Sequence, residues 1–244
     1  MRKYYTRPCN FTYGSYAKNL IKKKEALPLA GNDKIAFSSI EIFERKKNNQ
    51  IKSSYHLVSK IKNLSKEKKN IIRFDIKNIT SKRKKLLGLN FNNPLIMGIL
   101  NVTPDSFSDG GLFFKSSKAY VHAKKMFEEG GSIIDIGGES TRPGSKIINE
   151  KKEWDRIKKI IIKLKKQYPK IILSLDTRKA YVMKKGIENG IDIINDVSGL
   201  NFDNKSFDVI ESKKIPFILH HMQGTPKTMQ KNPKYKNVIL DIYD

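Results

Sequence analysis

The chain has 244 residues and a hydrophobic fraction of 38%, which is enough for one large domain or for a domain with an extension. No apolar run approaches the roughly 18 residues of a membrane span, and a single cysteine, Cys9, excludes an internal disulfide. The net charge is +25, but the lysines are spread over solvated helix faces, so we expect no membrane and no nucleic acid as a partner. A positive field favours an anionic small substrate. The start of the chain has no secretory signal pattern, and we expect a cytoplasmic protein.

Residues 1–90 are predicted to form an N-terminal extension. Apolar stretches at Ala36–Phe43 and Ile71–Ile76 indicate two strands. Between them a highly charged stretch predicts a helix, because apolar residues recur at helical spacing at Ile51, Tyr55, Val58 and Ile61. Nothing in this part of the sequence indicates a function.

Strand and helix patterns alternate through residues 91–244, the second predicted domain. Apolar stretches indicate strands, buried on both faces, at Leu95–Val102, Ser132–Gly137, Ile171–Asp176, Ile191–Asn195 and Pro216–His220. Helical patterns follow these strands at Ser117–Glu129, Glu150–Gln167 (with Asn149 as N-cap), Arg178–Asn189, Asn204–Ser212 and Asn237–Asp244. This order predicts a parallel α/β sheet with right-handed crossovers, either an open doubly wound sheet or a (β/α)8 barrel.

A cluster of polar residues follows each of the five predicted strands. In an open sheet such residues would concentrate at the point where the strand order reverses, whereas in a barrel every strand end faces the same mouth. The clusters therefore favour a (β/α)8 TIM barrel. The sequence holds about five of the eight βα units that such a barrel needs, so we expect the barrel to be incomplete here.

The clusters suggest an anionic ligand with a heterocyclic ring. Residues 137–145 combine hydroxyls, backbone amides and a guanidinium, which suit a diphosphate, although an ordinary flexible loop has the same composition. Asp176 can accept two parallel hydrogen bonds from a guanidine-like ring edge, and the alternative is that Asp176 or Thr177 caps the next helix. Asn195 suits the adjoining ring edge, while Asp196 is suited to a cap or a turn.

His220 and His221 are adjacent on a predicted strand, so their side chains point to opposite faces. No third histidine or cysteine lies nearby in the sequence. A metal site built on this pair is therefore not expected.

Five blocks of the sequence together resemble dihydropteroate synthase, an enzyme family of folate biosynthesis. The similarity covers roughly Leu95–Tyr235 and rests on Ile99–Gly111 (ILNVTPDSFSDGG), Asp135–Gly144 (DIGGESTRPG), Ser174–Arg178 (SLDTR), Ile194–Gly199 (INDVSG) and His221–Gln230 (HMQGTPKTMQ). The beginning of the chain resembles, less closely, the N-terminal extension of alphaproteobacterial members.

The resemblance implies a (β/α)8 barrel and a magnesium-dependent transferase. Such an enzyme condenses 6-hydroxymethyl-7,8-dihydropterin diphosphate with 4-aminobenzoate and releases 7,8-dihydropteroate and diphosphate. The resemblance also implies a target of sulfonamides and a homodimer at full length.

Four residues would serve the reaction itself. By resemblance, Asn101 would hold Mg²⁺ together with the diphosphate, since a neutral oxygen suits a hard cation that keeps waters. Asp109 would assist the metal and the diphosphate, Thr141 would hydrogen-bond the diphosphate, and Arg142 belongs to the loop over the aminobenzoate.

Other residues would bind the substrates. By resemblance, Asp176 and Asn195 would hold the pterin, with Met222 packing on its ring. Phe107 and Pro143, on the two loops, would shape the aminobenzoate pocket.

The sequence also departs from the family pattern. His220 stands at a position that is usually apolar, so we expect a modest change of the pocket. The residues that the last three strands of the family supply are not found in these 244 residues, and we expect this chain to be inactive alone. Two alternatives stay open, a pterin-dependent methyltransferase barrel, which should lack the TPDSFSDGG and ESTRPG blocks, and a non-catalytic basic binding protein.

Overall fold

The computed structural model describes residues 3–46, 50–103, 112–140, 147–225 and 228–244, without the side chains of 112–116. The chain divides into two compact units. The first unit comprises Met1–Leu86, Asn90–Asn92 and Tyr235–Asp244, and the second comprises Leu87–Leu89 and Asn93–Lys234.

Nine strands and seven α-helices lie within the described residues. The strands are β1 (Tyr4–Tyr13), β2 (Leu27–Leu29), β3 (Asn32–Arg45), β4 (Ile51–Leu57), β5 (Met97–Asn101), β6 (Ile133–Gly137), β7 (Leu173–Asp176), β8 (Ile193–Asp196) and β9 (Phe217–Leu219). The helices are α1 (Gly14–Lys22), α2 (Lys66–Thr80), α3 (Leu112–Glu128), α4 (Glu150–Gln167), α5 (Ala180–Glu188), α6 (Ser206–Lys213) and α7 (Val238–Tyr243), and a 3-10 helix spans Val58–Asn63.

The first unit is an antiparallel sheet in which β3 pairs with β1, β2 and β4. The predicted strand at Ala36–Phe43 is confirmed as part of β3. The predicted helix across residues 51–61 is wrong for its first part, because Ile51–Leu57 pairs residue by residue with β3. Cross-strand pairing of this kind overrides the local spacing of apolar residues.

The predicted strand at Ile71–Ile76 is wrong, because these residues lie inside α2. The side chain of Ser65 caps this helix by accepting a hydrogen bond from the Lys68 N–H at 3.3 Å. Ile72 is buried, and Ile76 and Ile79 pack with it against the sheet. Their spacing of three and four residues is that of one helix face.

The predicted helix near Asn237–Asp244 forms as α7, with the side chain of Asn237 as its cap. It belongs to the first unit, a placement that the sequence analysis did not foresee. Leu240 is fully buried in a cluster with Tyr5 and Phe43. The Arg45 guanidinium lies 2.7 Å from the carboxylate of Asp244.

The second unit is a parallel sheet with the order β5-β6-β7-β8-β9. All five predicted strands of this sheet are present, and α3 to α6 connect them in the predicted alternation. The predicted cap of α4 is confirmed, since the Asn149 side chain accepts a hydrogen bond from the Lys151 N–H at 2.8 Å. Among the described residues, no helix is long and apolar enough to span a bilayer.

The two faces of this sheet differ in chemistry. On one face Leu100, Ile136 and Leu175 pack with apolar side chains of α3, α4 and α5 in the main core. The opposite face carries Ile99, which is 64% exposed, and most of the polar strand residues. The prediction that the strands are buried on both faces is therefore wrong for β5 and also for β9, in which Phe217 and Leu219 are exposed.

Candidate functional site

The register of the parallel sheet places three predicted site residues in one row. Asn101 pairs with Gly137 across β5 and β6, Gly137 pairs with Asp176 across β6 and β7, and Asp176 pairs with Asn195 across β7 and β8. Residues paired in a parallel ladder point to the same face. Asn101, Asp176 and Asn195 therefore lie side by side on the polar face, at the carboxyl ends of their strands, and we call them with Gly137 the polar row.

Gly137 leaves the space between two of these side chains open. A Cβ atom added to Gly137 would lie 3.2 Å from Asp176 Oδ2 and 3.4 Å from Asn101 Oδ1. The two oxygen atoms thus flank the surface above the glycine. A ligand group that enters here meets a carboxylate on one side and an amide oxygen on the other.

A chain of hydrogen bonds fixes the amide of Asn195. Its Nδ2 donates to Asp135 Oδ2 at 2.9 Å, and its Oδ1 lies 2.7 Å from His220 Nε2. An ionised carboxylate only accepts hydrogen bonds, so the amide nitrogen must face Asp135 and the amide oxygen must face the histidine. His220 Nε2 then carries the proton, and Asn195 keeps one N–H and one lone pair for a ligand.

Two carboxyl groups of the polar face have raised pKa values. Burial raises the pKa of Asp176 to about 7, with further contributions from the charges of Asp135, Glu153, Asp196 and Glu139. Burial also raises the pKa of Asp135, although the hydrogen bond from Asn195 opposes this. A cationic or hydrogen-bond-donating ligand would relieve this crowding of negative charge, so the site suits a donor-rich ring edge.

The alternative roles that the sequence left open can now be decided. The Asp176 side chain forms no hydrogen bond with any residue that the structure describes, and the first N–H of α5 instead bonds to the carboxylate of Asp203 at 2.9 Å. Asp176 is therefore not a helix cap, whereas the Thr177 hydroxyl oxygen accepts the N–H of Lys179, the residue before α5, at 3.3 Å. Asp196 is a turn residue, because its carboxylate accepts the N–H groups of Ser198 and Leu200 at 2.7 and 3.0 Å.

Several predicted site residues are not part of the row. Met222 lies beyond the end of β9 and is half-buried. Five residues lie outside the described residues, and their predicted roles stay predictions: Phe107, Asp109, Thr141, Arg142 and Pro143.

Asp135 of the polar face was not selected as a site residue from the sequence, whereas Gly137 was placed in the loop predicted to bind a diphosphate. Asp135 is only 4% exposed and sits in the middle of the apolar strand IIDIG. A charged residue in such a strand is costly to bury without partners and could have served as a signal. Gly137 follows it by two residues, which is the spacing of one strand face.

The described residues contain no group of three or more His, Cys, Asp or Glu side chains able to hold a metal ion. At the row, the neutral amide oxygen of Asn101 could hold a divalent cation together with oxygens of the ligand and water. Mg²⁺ commonly binds in this way, with one or two protein oxygens and phosphate oxygens of the substrate.

Comparison with known proteins identifies related sequences. A family model described as "Pterin binding enzyme" matches residues 97–243. The dihydropteroate synthase of Haemophilus influenzae is 44% identical over 154 residues, which are 63% of this chain and 55% of that protein. The chain spans about half the length of the curated relatives it matches.

Solved structures resemble the same part of the chain. The dihydropteroate synthase of Yersinia pestis, solved with a sulfonamide drug complex, is 41% identical with a TM-score of 0.58, and the match covers 64% of this chain and 56% of that one. The enzyme of Xanthomonas albilineans with 4-aminobenzoic acid is 37% identical with a TM-score of 0.57, covering 64% and 54%. These neighbours are TIM barrels, so the predicted fold class is confirmed: the parallel sheet is an incomplete (β/α)8 barrel.

Proposed function

This chain belongs to the family of pterin binding enzymes, and we propose that it acts in folate biosynthesis as a dihydropteroate synthase. The proposed reaction joins 6-hydroxymethyl-7,8-dihydropterin diphosphate to 4-aminobenzoate and releases diphosphate. The observation that supports it most is the polar row, which lies at the carboxyl ends of the parallel strands, where barrel enzymes bind their substrates.

The pterin fits the Asp176–Asn195 side of the row. A pterin ring presents adjacent N–H donors that match the two oxygens of an ionised Asp176 carboxylate. The remaining N–H and lone pair of Asn195 suit the neighbouring ring atoms. No partner among the described residues competes with the ring for Asp176.

The diphosphate fits the Asn101 side of the row. The amide oxygen of Asn101 would bind Mg²⁺, which would neutralise charge on the leaving diphosphate. Thr141 and Arg142 would contribute a hydroxyl and a guanidinium, as the resemblance implies, and Asp109 would assist the metal.

The second substrate is proposed from the relatives. One of them holds 4-aminobenzoic acid and another a sulfonamide drug, so we expect 4-aminobenzoate and competing sulfonamides to bind beside the pterin. Phe107, Pro143 and Met222 would shape the pocket. The amine of 4-aminobenzoate attacks the pterin methylene carbon as diphosphate leaves, so no residue needs to act as a nucleophile. The protein contributes positioning and electrostatic stabilisation.

The test measures by calorimetry how the pterin diphosphate binds to the polypeptide as its gene encodes it. Formation of 7,8-dihydropteroate is measured by chromatography. Asp176→Ala should abolish binding, because the pterin ring loses two hydrogen bonds and its N–H donors are left without acceptors. Asp208→Ala, on the exposed surface of α6, is the matched control and should bind like the wild type. Binding by Asp176→Ala within a few-fold of the wild type would refute the assignment of the pterin site.

The relatives from Haemophilus influenzae, Yersinia pestis and Xanthomonas albilineans are all dihydropteroate synthases, which favours this reaction over methyl transfer by a related barrel. Membership of an enzyme family likewise argues against a non-catalytic basic binding protein. The cytoplasmic location, the homodimer and the inactivity of residues 1–244 alone stay predictions.

A further inference from the structure

Four charged side chains form a buried ion cluster next to the polar row. They are Glu139, Glu153, Arg178 and Lys179, and none is more than 7% exposed. The Lys179 ammonium lies 2.9 Å from Glu139 Oε1 and 2.6 Å from Glu153 Oε2. Arg178 Nε donates to Glu139 Oε2 at 3.0 Å. Two positive and two negative charges are thus paired out of contact with water.

The members of the ion cluster come from three places that border the site. Glu139 follows β6 by two residues, Arg178 and Lys179 follow β7, and Glu153 lies in the first turn of α4. Glu139 Oε1 also accepts the N–H of Ile148 at 3.1 Å. The cluster therefore connects the carboxyl ends of two neighbouring strands with the start of the helix between them.

Thr177 links the ion cluster to Asp176. Its hydroxyl donates to Glu153 Oε1 at 2.6 Å, and its N–H donates to the backbone oxygen of Asn195 at 3.1 Å. The residue directly after Asp176 is thus held by its side chain and by its backbone. This leaves the Asp176 backbone little freedom to move relative to Asn195.

The pKa of the Glu139 carboxyl group agrees with this arrangement, whereas burial raises the pKa of Glu153 despite its hydrogen bonds from Lys179 and Thr177. Burial alone raises the pKa of Glu139, but hydrogen bonds from Lys179 and Arg178 outweigh it and leave the pKa below its usual range. Glu139 is therefore ionised at neutral pH and needs its cations. Buried ion pairs seldom add much stability over apolar residues of the same size, whereas they can fix one geometry.

We infer that the ion cluster is a positioning device for the substrate site, in which Lys179 and Glu153 act through Thr177 to fix the Asp176 carboxylate in the polar row. The inference rests on the proposed function, because it assigns the pterin to Asp176. None of the cluster residues needs to touch the substrate. A small displacement of a binding group is enough to weaken binding strongly.

Thr177→Val is the most direct variant, since it keeps the size and shape of the side chain and removes the hydroxyl group that links Glu153 and the N–H of Lys179. Lys179→Met is the second variant, and Lys179→Arg is its conservative counterpart. Lys165→Met is the matched control. Lys165 pairs with Asp192 at 2.6 Å, and Asp192 also accepts the N–H of Leu173, the first residue of β7, so this ion pair lies at the opposite end of the same strand.

The readouts are the affinity for the pterin diphosphate by calorimetry and the melting temperature, measured on the polypeptide as its gene encodes it. Thr177→Val and Lys179→Met should bind about tenfold or more weakly, and Lys179→Arg should restore much of the affinity. Lys165→Met should lower the melting temperature but leave the affinity unchanged. Equal affinity losses in Lys165→Met and Thr177→Val, or none in Thr177→Val, would overturn the inference.

Hydrogen exchange separates this inference from the proposed function. Exchange at the backbone amides of residues 174–180, without ligand, should be faster in Thr177→Val than in the wild type and in Lys165→Met. If the wild type binds no pterin diphosphate, the proposed function fails, and the exchange rates still decide whether the ion cluster holds the end of β7. Unchanged exchange in Thr177→Val would overturn the inference whatever the affinities are.

Discussion

His220 Nε2 lies 2.7 Å from Asn195 Oδ1, so a histidine at the end of β9 holds the amide of a residue on β8. Asn195 in turn donates to Asp135. The histidine stands where the related enzymes usually have an apolar residue, as the resemblance implies. In this chain, His220 and Asp135 therefore fix the orientation of the proposed pterin-binding amide from two sides.

Replacing the histidine should loosen this amide. In His220→Leu we expect the affinity for the pterin diphosphate to fall several-fold, which is a loss of about 1 kcal/mol in binding free energy, because one hydrogen bond that orients Asn195 is lost. His220→Gln keeps a donor and should lose less. His122→Leu, on the exposed surface of α3, is the control in the same calorimetric titration. Unchanged affinity in His220→Leu would show that Asp135 alone orients the amide.

Gly137→Ala tests the open space in the polar row. The new methyl group would lie 3.2 Å from Asp176 Oδ2 and 3.4 Å from Asn101 Oδ1. It would displace the Asp176 oxygen slightly, contact the Asn101 oxygen and fill the surface that the ligand needs. We expect ligand binding to be lost, as measured by calorimetry, while the chain still folds.

The control for this prediction is Gly98→Ala on β5. Its methyl group would meet the Met126 Sδ atom at 2.8 Å, on the core side of the sheet. This substitution should lower the melting temperature but leave ligand affinity nearly unchanged. Comparable loss of binding in both variants would mean that general strain in the sheet, and not the space above Gly137, decides the result.

The sequence was sufficient to predict the strands of the parallel sheet, but it was not sufficient to predict the elements of the first unit. Each strand from β5 to β9 is a short apolar stretch that ends in polar residues, and the helical patterns between these stretches indicate a parallel sheet. The stretch Ile71–Ile76 has apolar residues that fit either a strand or a helix. Only the Ser65 cap and the contacts of Ile72 with the sheet decide in favour of the helix.

Individual site residues could be predicted from the sequence, but their relative positions in the sheet could not. Asp176 and Asn195 could be selected as polar residues at strand ends. Their alignment with Asn101 depends on the strand register, and a shift by one residue would move each side chain to the other face. The bond between His220 and Asn195 depends on the same register across β8 and β9, which no local sequence pattern specifies.

Asn101→Ala tests the proposed metal ligand. If the Asn101 amide oxygen binds Mg²⁺ together with the diphosphate, the variant should bind the pterin diphosphate more weakly only when Mg²⁺ is present. Titrations with and without Mg²⁺, each compared with the wild type, give the answer. An equal loss under both conditions would mean that Asn101 serves the pocket without a metal. Binding of the plain pterin, which lacks the diphosphate, should be unaffected.

The raised pKa of Asp176 gives a pH dependence of ligand binding. The ring donors need the ionised carboxylate, so affinity should increase from pH 5 to pH 8 and level off above a pKa of about 7. Asp176→Asn cannot ionise and should bind weakly at every pH. Calorimetry across this range in the wild type measures the midpoint. An affinity that is flat with pH would mean that Asp176 is ionised throughout.

The same pKa predicts how stability without ligand depends on pH. An aspartate whose pKa is about 7 when folded and 3.8 when unfolded binds its proton more tightly in the folded chain. Its contribution to the free energy of unfolding is greatest below pH 4 and decreases as the pH rises to 7, because the unfolded chain then releases the proton more readily. Asp176→Asn removes this loss of stability. The difference in melting temperature between the variant and the wild type should therefore be larger at pH 8 than at pH 5, in favour of the variant. Asp208→Asn, on the exposed surface of α6, should show no such difference.

The prediction fails if the melting temperatures of the wild type and of Asp176→Asn differ by the same amount at every pH between 5 and 8. The buried charge of Asp176 would then not destabilise the fold.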